Sequence, residues 1–400
     1  MDQPNYPLAA RMLSAKGSTI REMLKTAGRK DMISFAGGLP APDLFDLEGI
    51  RAATDEALTR DPVGALQYSA TEGHAGLRAQ VAGNVMASRG VRCEPDDLLI
   101  TSGAQQGIDL IGKVMLDPGD LVVLERPSYL AAIQIFGMYQ ARFRTVDVDA
   151  DGLDVDELER VIREEKPKLI YLVATFANPS GATLSLERRR RVLQLAAEHG
   201  VLVVEDDPYS ELRFSGEAIP PLVALADDVP GSREWCVYLS SLSKIVSPGL
   251  RVAWMLLPPG LRPSCVIAKQ GSDLHTSSFA QHVAYRYLSS NRLPERLPII
   301  RDAYGARGEA MMAALAECMP PGTVQFASPA GGMFLWARLA EGVDTVKVVQ
   351  RAMQEGVIFV PGVSFYAEKP QGNYMRLSFA TPTPSEIQEG VRRLARVIVD

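Results

Sequence analysis

Residues 168–204 have the sequence KLIYLVATFANPSGATLSLERRRRVLQLAAEHGVLVV. Two short apolar runs, Lys168–Val173 and Val201–Val204, flank a charged amphipathic stretch, Glu187–His199, which Gly200 ends. Continuous β-branched runs are typical of strands that are buried on both faces, and a helix is the usual connection between parallel strands. This stretch therefore predicts a strand–helix–strand unit of a parallel sheet.

The same alternation extends to both sides of this unit. It predicts further strands and helices at Leu98–Thr101 (strand), Gln105–Leu116 (helix), Leu121–Leu124 (strand), Leu130–Tyr139 (helix), Val237–Ser240 (strand) and Val252–Leu257 (strand). We expect an α/β fold whose large domain, residues 46–290, has a mainly parallel seven-stranded sheet flanked by helices.

The pattern changes near residue 290. The remaining chain predicts a smaller α+β domain, residues 291–400, built from Arg301–Glu317 (helix), Met333–Arg338 (strand), Thr345–Glu355 (helix), Met375–Phe379 (strand) and Ser385–Val399 (helix). Residues 1–45 form no complete unit, and we expect them to pack on this small domain.

Composition excludes several classes of protein. The net charge of −6 gives no general attraction for nucleic acid or anionic membranes. The four cysteines form no C-x-x-C pair and the four histidines no H-E-x-x-H motif, so we expect no metal. The start of the chain lacks the apolar core of a secretory signal, and no run approaches about 18 apolar residues. We expect a cytoplasmic protein.

Lys244 lies in the segment SSLSKIVSPGLR, just after a predicted strand. A lysine between small hydroxyl residues at a strand end is placed to be desolvated, which lowers its pKa and makes the amine nucleophilic toward an aldehyde. Ser241, Ser243 and Arg251 are suited to hold a phosphate. The alternative is a surface loop with a solvated lysine. Ser241-x-x-Lys244 also matches a serine-nucleophile motif, but its S-D-N and K-T-G partners are absent.

Asp206 follows an apolar run in VVEDDPY, where ligands meet the strands of open α/β sheets. A carboxylate there can pair with a pyridinium nitrogen and keep the ring an electron sink. Tyr209 can donate to a hydroxyl oxygen of the same ring. A solvated acidic turn is the alternative.

Two junctions after strands are also candidates. Asn178, in FANPSG, can donate to a ring oxygen or a substrate carboxylate, or lie in a plain turn. Gly103, Ala104 and Gln105, in TSGAQQG, begin a predicted helix whose free N–H groups can bind an anion. The motif is neither a Walker loop nor G-x-G-x-x-G.

Arg376 lies in the predicted strand MRLSF. A buried guanidinium needs a carboxylate partner. Either the substrate supplies this carboxylate, or the arginine forms a structural salt bridge.

The motifs SGAQQG, RPSY, FANPSG, EDDPYSEL, SLSKIVSPGLR and MRLSF occur in this order. Together they resemble the fold-type I pyridoxal-phosphate (PLP) aminotransferases of class I/II. The N-terminal pieces STIREMLK, SFAGGLPAPDLF and LQYSATEGHAGLR are similar to the 2-aminoadipate and kynurenine aminotransferase subgroup.

This resemblance implies a role for each candidate. Lys244 bonds covalently to PLP and acts as the general base, Asp206 pairs with the ring nitrogen, and Tyr129 stacks on the ring face. Asn178 and Tyr209 bind the ring hydroxyl oxygen.

The resemblance also implies a phosphate site and a substrate site. The phosphate is bound by Gly103, Ala104, Gln105, Ser241, Ser243 and Arg251, and by Tyr68 of a neighbouring subunit. That last role implies a homodimer with shared active sites. Arg376, Asn178 and Gly38 contact the substrate near its α-carboxylate, and Arg21 meets its side chain.

The implied activity is transfer of the amino group of an L-amino acid to a 2-oxo acid such as 2-oxoglutarate. The donor is 2-aminoadipate, glutamate, or an aromatic or branched aliphatic amino acid, and the kinetics are ping-pong through pyridoxamine phosphate (PMP). A PLP-dependent lyase or decarboxylase is the alternative. A regulator with an aminotransferase-like domain needs an added DNA-binding domain, and the resemblance, which begins at Ser18, leaves it no room. A non-catalytic binding protein is disfavoured while Lys244, Asp206 and Arg376 are all present.

Overall fold

The structure is a computed structural model that describes residues 6–13 and 32–399. Its strands are β1 (Ile33–Ser34), β2 (Leu98–Thr101), β3 (Leu121–Arg126), β4 (Arg142–Asp149), β5 (Gly152–Leu153), β6 (Leu169–Leu172), β7 (Leu202–Asp206), β8 (Cys236–Ser241), β9 (Ala253–Leu256), β10 (Gln325–Phe326), β11 (Phe334–Arg338), β12 (Val357–Ile358), β13 (Val360–Pro361) and β14 (Tyr374–Ser378). Its α-helices are Ala10–Leu13, Leu47–Arg60, Pro62–Leu66, Ala75–Gln80, Ala104–Met115, Leu130–Met138, Val155–Glu165, Leu186–His199, Leu222–Leu225, Arg262–Asp273, Ser278–Ser289, Arg292–Cys318, Thr345–Gln354 and Pro384–Val399.

The main sheet has eight strands in the order β2-β9-β8-β7-β6-β3-β4-β5. Strands β8, β7, β6, β3 and β4 are parallel, β9 is antiparallel to both its neighbours, and β5 is antiparallel to β4. The prediction of a mainly parallel α/β sheet is therefore confirmed. The eighth strand, β5, has two residues and lies at the edge.

Local sequence signals explain the helix between β6 and β7. Helix Leu186–His199 begins after Ser185, whose side chain accepts a hydrogen bond from the Arg188 N–H at 3.4 Å. It ends at Gly200, which adopts a left-handed conformation with φ 65°. A hydroxyl N-cap and a glycine C-cap satisfy backbone groups that the helix itself leaves free.

Parallel strands bring the carboxyl ends of β6, β7 and β8 to one edge of the sheet. Strand β2 runs in the same direction as β8, because β9 is antiparallel to both. Thr101, Leu172, Asp206 and Ser241 therefore end their strands at this edge. Ligands bind at this edge in open α/β sheets.

A second, antiparallel sheet has the order β10-β11-β14-β13. Helices Arg292–Cys318 and Pro384–Val399 pack against each other beside it. The first of these helices begins nine residues before the predicted start, Arg301. Strand β1 pairs in parallel with β12, which joins residues 33–34 to residues 357–358. The division into residues 1–45, 46–290 and 291–400 stays a prediction.

Several features of the described residues bear on the class of protein. None of their helices is both long and apolar enough to cross a membrane. In the same residues, no group of three or more His, Cys, Asp or Glu side chains is placed to bind a metal ion. The four cysteines are free thiols.

Candidate active site

A cavity of about 340 Å³ opens at the carboxyl edge of the main sheet. Its size suits a small organic ligand. It lies between the two sheets, because its wall combines residues that follow β2, β7 and β8 with Arg376 of β14. The lining residues are Gly38, Leu39, Ala104, Gln105, Tyr129, Leu130, Ala131, Gln134, Val173, Asn178, Asp206, Pro208, Tyr209, Ser241, Ser243, Lys244, Pro248, Arg251 and Arg376.

Lys244 lies in the turn that follows β8, with its amine inside the cavity. Its Nζ donates a hydrogen bond to the Gly38 carbonyl at 2.7 Å. Burial lowers its pKa from 10.5 to about 8; the charges of Arg376 and Arg251 act in the same direction, and Asp206 opposes them. The unprotonated amine, the form that attacks an aldehyde, is therefore more abundant near neutral pH than it is for an ordinary lysine.

Asp206, the last residue of β7, has one paired and one unpaired carboxyl oxygen. Its Oδ2 accepts a hydrogen bond from the Tyr171 hydroxyl at 2.7 Å, whereas its Oδ1 is buried without a partner. Burial raises the pKa of this carboxyl to about 7, and the bond from Tyr171 opposes that shift. A buried acceptor without a partner is costly, so this atom fits a ligand that donates an N–H group.

Arg376 lies on β14 with its side chain 2% exposed. Its Nη1 donates to Asn178 Oδ1 at 2.8 Å, its Nη2 donates to the Ala36 carbonyl at 2.6 Å, and its Nε has no partner. Burial lowers its pKa to about 10, so the group remains charged at neutral pH. It forms no ion pair with any described residue, which disfavours the structural salt bridge.

Aromatic side chains complete the wall around Arg376. The guanidinium carbon lies 4.3 Å from the ring centroid of Phe334 and 5.0 Å from that of Phe365. The ring of Tyr209 contacts Phe334 edge-on at 5.9 Å, and its hydroxyl hydrogen-bonds to the Asn178 side chain. The cavity therefore holds a desolvated cation at the wall opposite the main sheet.

Gly103 and Arg251 meet at the end of the cavity where helix Ala104–Met115 begins. Gly103 has φ 87°, and a Cβ atom there would lie 2.1 Å from Arg251 Nη2. That Nη2 donates to the Ser102 carbonyl at 3.2 Å, while the Ser243 N–H donates to Ser241 Oγ at 3.0 Å. A helix N-terminus, a guanidinium and two hydroxyls form a site for an anion such as phosphate.

The structure brings most predicted site residues together in this cavity. Gly103 packs against the Arg251 side chain and does not itself line the cavity. Tyr68 lies away from the cavity with its side chain 80% exposed, and its ring contacts His275 at a centroid distance of 5.7 Å. Arg21 lies outside the described residues.

Sequence reasoning missed several residues of the site. The cavity is also lined by Leu39, Leu130, Ala131 and Gln134. Tyr171 does not line the cavity, but its hydroxyl donates a hydrogen bond to Asp206. Within KLIYLV, Tyr171 is indistinguishable from an ordinary core aromatic. The available signal was its hydroxyl, which needs a partner when a tyrosine is buried.

A desolvated lysine, a buried acid with a free acceptor and an anion site at a helix N-terminus meet in one cavity of an α/β fold. In chemical type, the three groups suit the aldehyde, the ring nitrogen and the phosphate of PLP, respectively. The residues present fit this cofactor, and they define the class of fold-type I PLP enzymes.

Comparisons with known proteins give the family. The model of aminotransferase class I and II matches residues 30–394. The chain is 41% identical to aromatic-amino-acid aminotransferase 1 of Thermococcus litoralis over 403 residues, 100% of this chain and 95% of that protein. It is 44% identical to 2-aminoadipate transaminase of Thermus thermophilus, over 96% of this chain and 94% of the relative.

Solved structures agree. Kynurenine aminotransferase of Pyrococcus horikoshii, crystallised in complex with PMP, superposes with a TM-score of 0.93 and is 41% identical, covering 98% of this chain and 97% of that one. The chain belongs to the class I and II aminotransferase family. It is a transferase of fold type I, and its cofactor is PLP.

Proposed function

We propose that this aminotransferase takes the amino group from aromatic, branched aliphatic and dicarboxylic L-amino acids, 2-aminoadipate and glutamate among them, and passes it to a 2-oxo acid such as 2-oxoglutarate. The observation that carries the proposal is the placement of Lys244, Asp206 and Arg376 in one cavity. A nucleophile, a ring-nitrogen partner and a carboxylate receptor are the groups that transamination needs.

Asp206, Tyr209, Asn178 and Tyr129 orient the ring. When bound, PLP supplies an aldehyde that bonds to amines and a ring that takes up electrons from the substrate α-carbon. Asp206 Oδ1 would pair with the ring nitrogen, Tyr209 and Asn178 would bind the ring hydroxyl oxygen, and Tyr129 would cover one ring face.

The phosphate is proposed to lie at the helix start. The backbone of Ala104 and Gln105 would donate N–H groups, whereas the Gly103 N–H already donates to the Thr101 carbonyl at 2.8 Å and Gly103 would instead leave room for the anion. The side chains that would assist are those of Ser241, Ser243 and Arg251.

Lys244 moves the proton. The Lys244 amine would hold the cofactor through its aldehyde and, when unprotonated and free, would accept the proton of the substrate α-carbon and later release it. Its pKa of about 8 suits a group that must both accept and release a proton near neutral pH. Arg376 orients the substrate through its α-carboxylate, for which Nε is the unpartnered donor. Gly38 lies beside it, with its carbonyl on Lys244.

Substitution of Lys244 tests this assignment. We expect Lys244→Ala to abolish transamination and the visible absorbance of the bound cofactor, whereas the surface variant Lys113→Ala keeps both. Borohydride treatment of the unaltered protein should trap PLP on the Lys244 side chain. Full retention of activity and absorbance by Lys244→Ala would overturn the proposal.

The range of amino-acid donors is inferred from cavity residues that have no proposed role in binding the cofactor. Leu39, Leu130 and Ala131 are apolar, and Gln134 is uncharged. In the described part of the chain, the cations that line the cavity are Lys244, Arg251 and Arg376, each with a role already. This wall supports aromatic and aliphatic donors, in line with the names of the relatives.

A distal carboxylate would then depend on Arg21. A screen of amino donors with 2-oxoglutarate defines the range. Arg21→Ala should raise KM for 2-aminoadipate and glutamate more than KM for phenylalanine; equal effects would refute this role.

A homodimer with shared sites is part of the proposal. Helix Pro62–Leu66 packs on helix Ser278–Ser289, and Ser278 Oγ donates to the Gln67 carbonyl at 2.8 Å. This surface exposes the apolar side chains of Val63, Leu66, Tyr68, Leu274 and Phe279. Such a patch supports burial against a second copy, whose phosphate site Tyr68 would reach. Sedimentation analysis should give twice the chain mass; a monomer that remains fully active would refute the shared site.

A lyase or decarboxylase would use the same lysine and aspartate. Incubation with an amino acid and no 2-oxo acid distinguishes a transaminase from a lyase or decarboxylase. A transaminase accumulates PMP and the 2-oxo acid in equal amounts, whereas a lyase or decarboxylase releases its product while PLP is retained.

We also propose a cytoplasmic location. The four unpaired cysteines support it, since reduced thiols are typical of that compartment. Fractionation of cells that produce the protein tests it.

A further inference from the structure

Tyr171 is a fully buried tyrosine that the proposed roles do not use. It lies on β6 and pairs in register with Val204 of β7. Side chains two residues apart on a strand share a face, so Tyr171, Val204 and Asp206 all face the same side of the sheet. The phenol extends along this face, and its hydroxyl donates to Asp206 Oδ2 at 2.7 Å.

The surroundings of Tyr171 restrict it to this contact. Its ring is 0% exposed and meets the ring of Phe136 edge-on at 5.9 Å. Burial and the nearby Asp206 raise the pKa of its hydroxyl well above 10. The hydroxyl is therefore protonated at every working pH and acts as a donor to the carboxylate.

The two carboxyl oxygens of Asp206 therefore differ, because one accepts a hydrogen bond within the protein and the other has no partner. Oδ2 accepts the hydrogen bond from Tyr171, Oδ1 is buried without a partner, and Asp206 lines the cavity. We propose that Tyr171 is a positioning residue for the cofactor, because its hydroxyl fixes the Asp206 carboxylate with Oδ1 directed to the ring nitrogen. This inference rests on the proposed pairing of Asp206 with that nitrogen.

Loss of the hydroxyl would have two effects on Asp206. The carboxyl would gain freedom to rotate, so Oδ1 would no longer be held for the ligand. The carboxylate would also lose a donor that favours its charged form, which raises the pH at which it becomes neutral. Both effects weaken binding of a protonated ring.

The test compares Tyr171→Phe with Tyr238→Phe. Tyr238 is also fully buried in the main sheet, and its hydroxyl donates to the adjacent aspartate, Asp207, at 2.6 Å. Asp207 does not line the cavity. The control therefore deletes the same oxygen beside a buried acid that the cofactor does not touch.

The readout is the dissociation constant of PMP for the cofactor-free full-length chain. PMP has no aldehyde and cannot bond to Lys244, so its affinity reports non-covalent contacts. We expect Tyr171→Phe to weaken binding about 10-fold or more, as for loss of a hydrogen bond to a charged group. Tyr238→Phe should stay within about twofold of the unaltered chain.

A double-mutant cycle separates positioning from general support of the fold. Asp206→Ala should weaken PMP binding, and adding Tyr171→Phe to it should cause no further loss. If Tyr171→Phe has the same effect with and without Asp206, the hydroxyl acts elsewhere and the inference is wrong. If Asp206→Ala weakens binding and Tyr171→Phe does not, the inference alone fails. If Asp206→Ala leaves binding unchanged, the proposed role of Asp206 itself fails.

Two further readouts do not depend on activity. The pH below which PMP affinity falls should move upward in Tyr171→Phe relative to the unaltered chain and to Tyr238→Phe. A crystal structure of the unaltered protein with PMP should keep Tyr171 on Oδ2 and place Oδ1 at the ring nitrogen. A structure in which Tyr171 has left Asp206 would overturn the inference without any variant.

Discussion

Asp206 and Asp207 are neighbours in the chain, and both are almost fully buried. Each accepts a hydrogen bond from a tyrosine on an adjacent strand, Tyr171 for Asp206 and Tyr238 for Asp207. Asp207 is then completed within the protein, because its Oδ1 accepts from the Ser210 N–H at 3.0 Å and Arg89 lies 3.6 Å from its Oδ2. Asp206 keeps one oxygen without a partner.

The difference shows how a binding group and a structural group are built from the same residue type. A buried acid with all its partners inside the protein stabilises the fold. A buried acid with an unfilled acceptor costs stability until a ligand completes it. Sequence adjacency alone does not separate the two; their partners do.

The largest expected effect comes from exchanging each acid for its amide. Asp206→Asn should lower kcat/KM by about 10²–10³-fold, because the ring nitrogen loses its ionic partner. Asp207→Asn should keep kcat/KM per folded molecule and lower the free energy of unfolding by about 1–3 kcal/mol. Steady-state kinetics and denaturant unfolding measure both quantities. A comparable loss of kcat/KM in the two variants would remove the distinction between the acids.

The next effect concerns Arg89, which pairs with both Asp207 and Glu211 and is largely buried. Arg89→Met leaves the buried Asp207 carboxylate without a cation, whereas Glu211 keeps Arg301 at 2.8 Å. The free energy of unfolding should therefore fall by about 3 kcal/mol. Arg92→Met is the matched control, since Arg92 is exposed and pairs with Asp227 at the surface. It should change that free energy by less than about 1 kcal/mol. Equal changes would show that the pair of Arg89 with Asp207 adds no more to the stability of the fold than a surface pair.

The smallest effect is the pH dependence of stability in the cofactor-free protein. The pKa of Asp206 is about 7 in the fold, against 3.8 for an ordinary aspartate. Its contribution to stability is therefore complete below about pH 4 and is lost as the pH rises through about 7, since the unfolded chain releases this proton first.

Asp206→Asn lacks this dependence. The free energy of unfolding of the unaltered chain, relative to that of Asp206→Asn, should fall between pH 4 and pH 7 by at most about 1.4 kcal/mol per pH unit. Denaturant unfolding at several pH values measures the difference. Parallel curves for the two proteins would contradict the raised pKa.

Much of the sheet could be predicted because its strands are buried on both faces. Strand β2 was predicted at its observed bounds, and β3, β6, β7, β8 and β9 within two residues at each end. Strand β4, Arg142–Asp149, was missed because its sequence RFRTVDVD carries charges on its partly exposed faces. Helix Val155–Glu165 was not assigned for a similar reason, since its charged residues outnumber its apolar ones.

The positions of several site residues could be predicted because each lies in a short segment with a recognisable pattern. Asp206 ends a strand, Lys244 and Asn178 follow strands, and all three carry polar groups at the edge of the sheet where ligands bind. Tyr171 could not be found in this way, because its role depends on the register between β6 and β7. The role proposed for Tyr68 requires a second chain, and neither the sequence nor the structure of one chain describes that contact.

The pairing of β2 with β9 has a consequence for how the anion site tolerates change. Thr101 and Ala253 are register partners, and Gly103 and Arg251 each lie two residues beyond that pair. A shift of one residue in either strand would turn one of the two away from the other. We therefore expect an insertion or deletion between Thr101 and Gly103, or between Arg251 and Ala253, to separate Gly103 from Arg251, whereas length changes in distant surface loops leave this spacing intact.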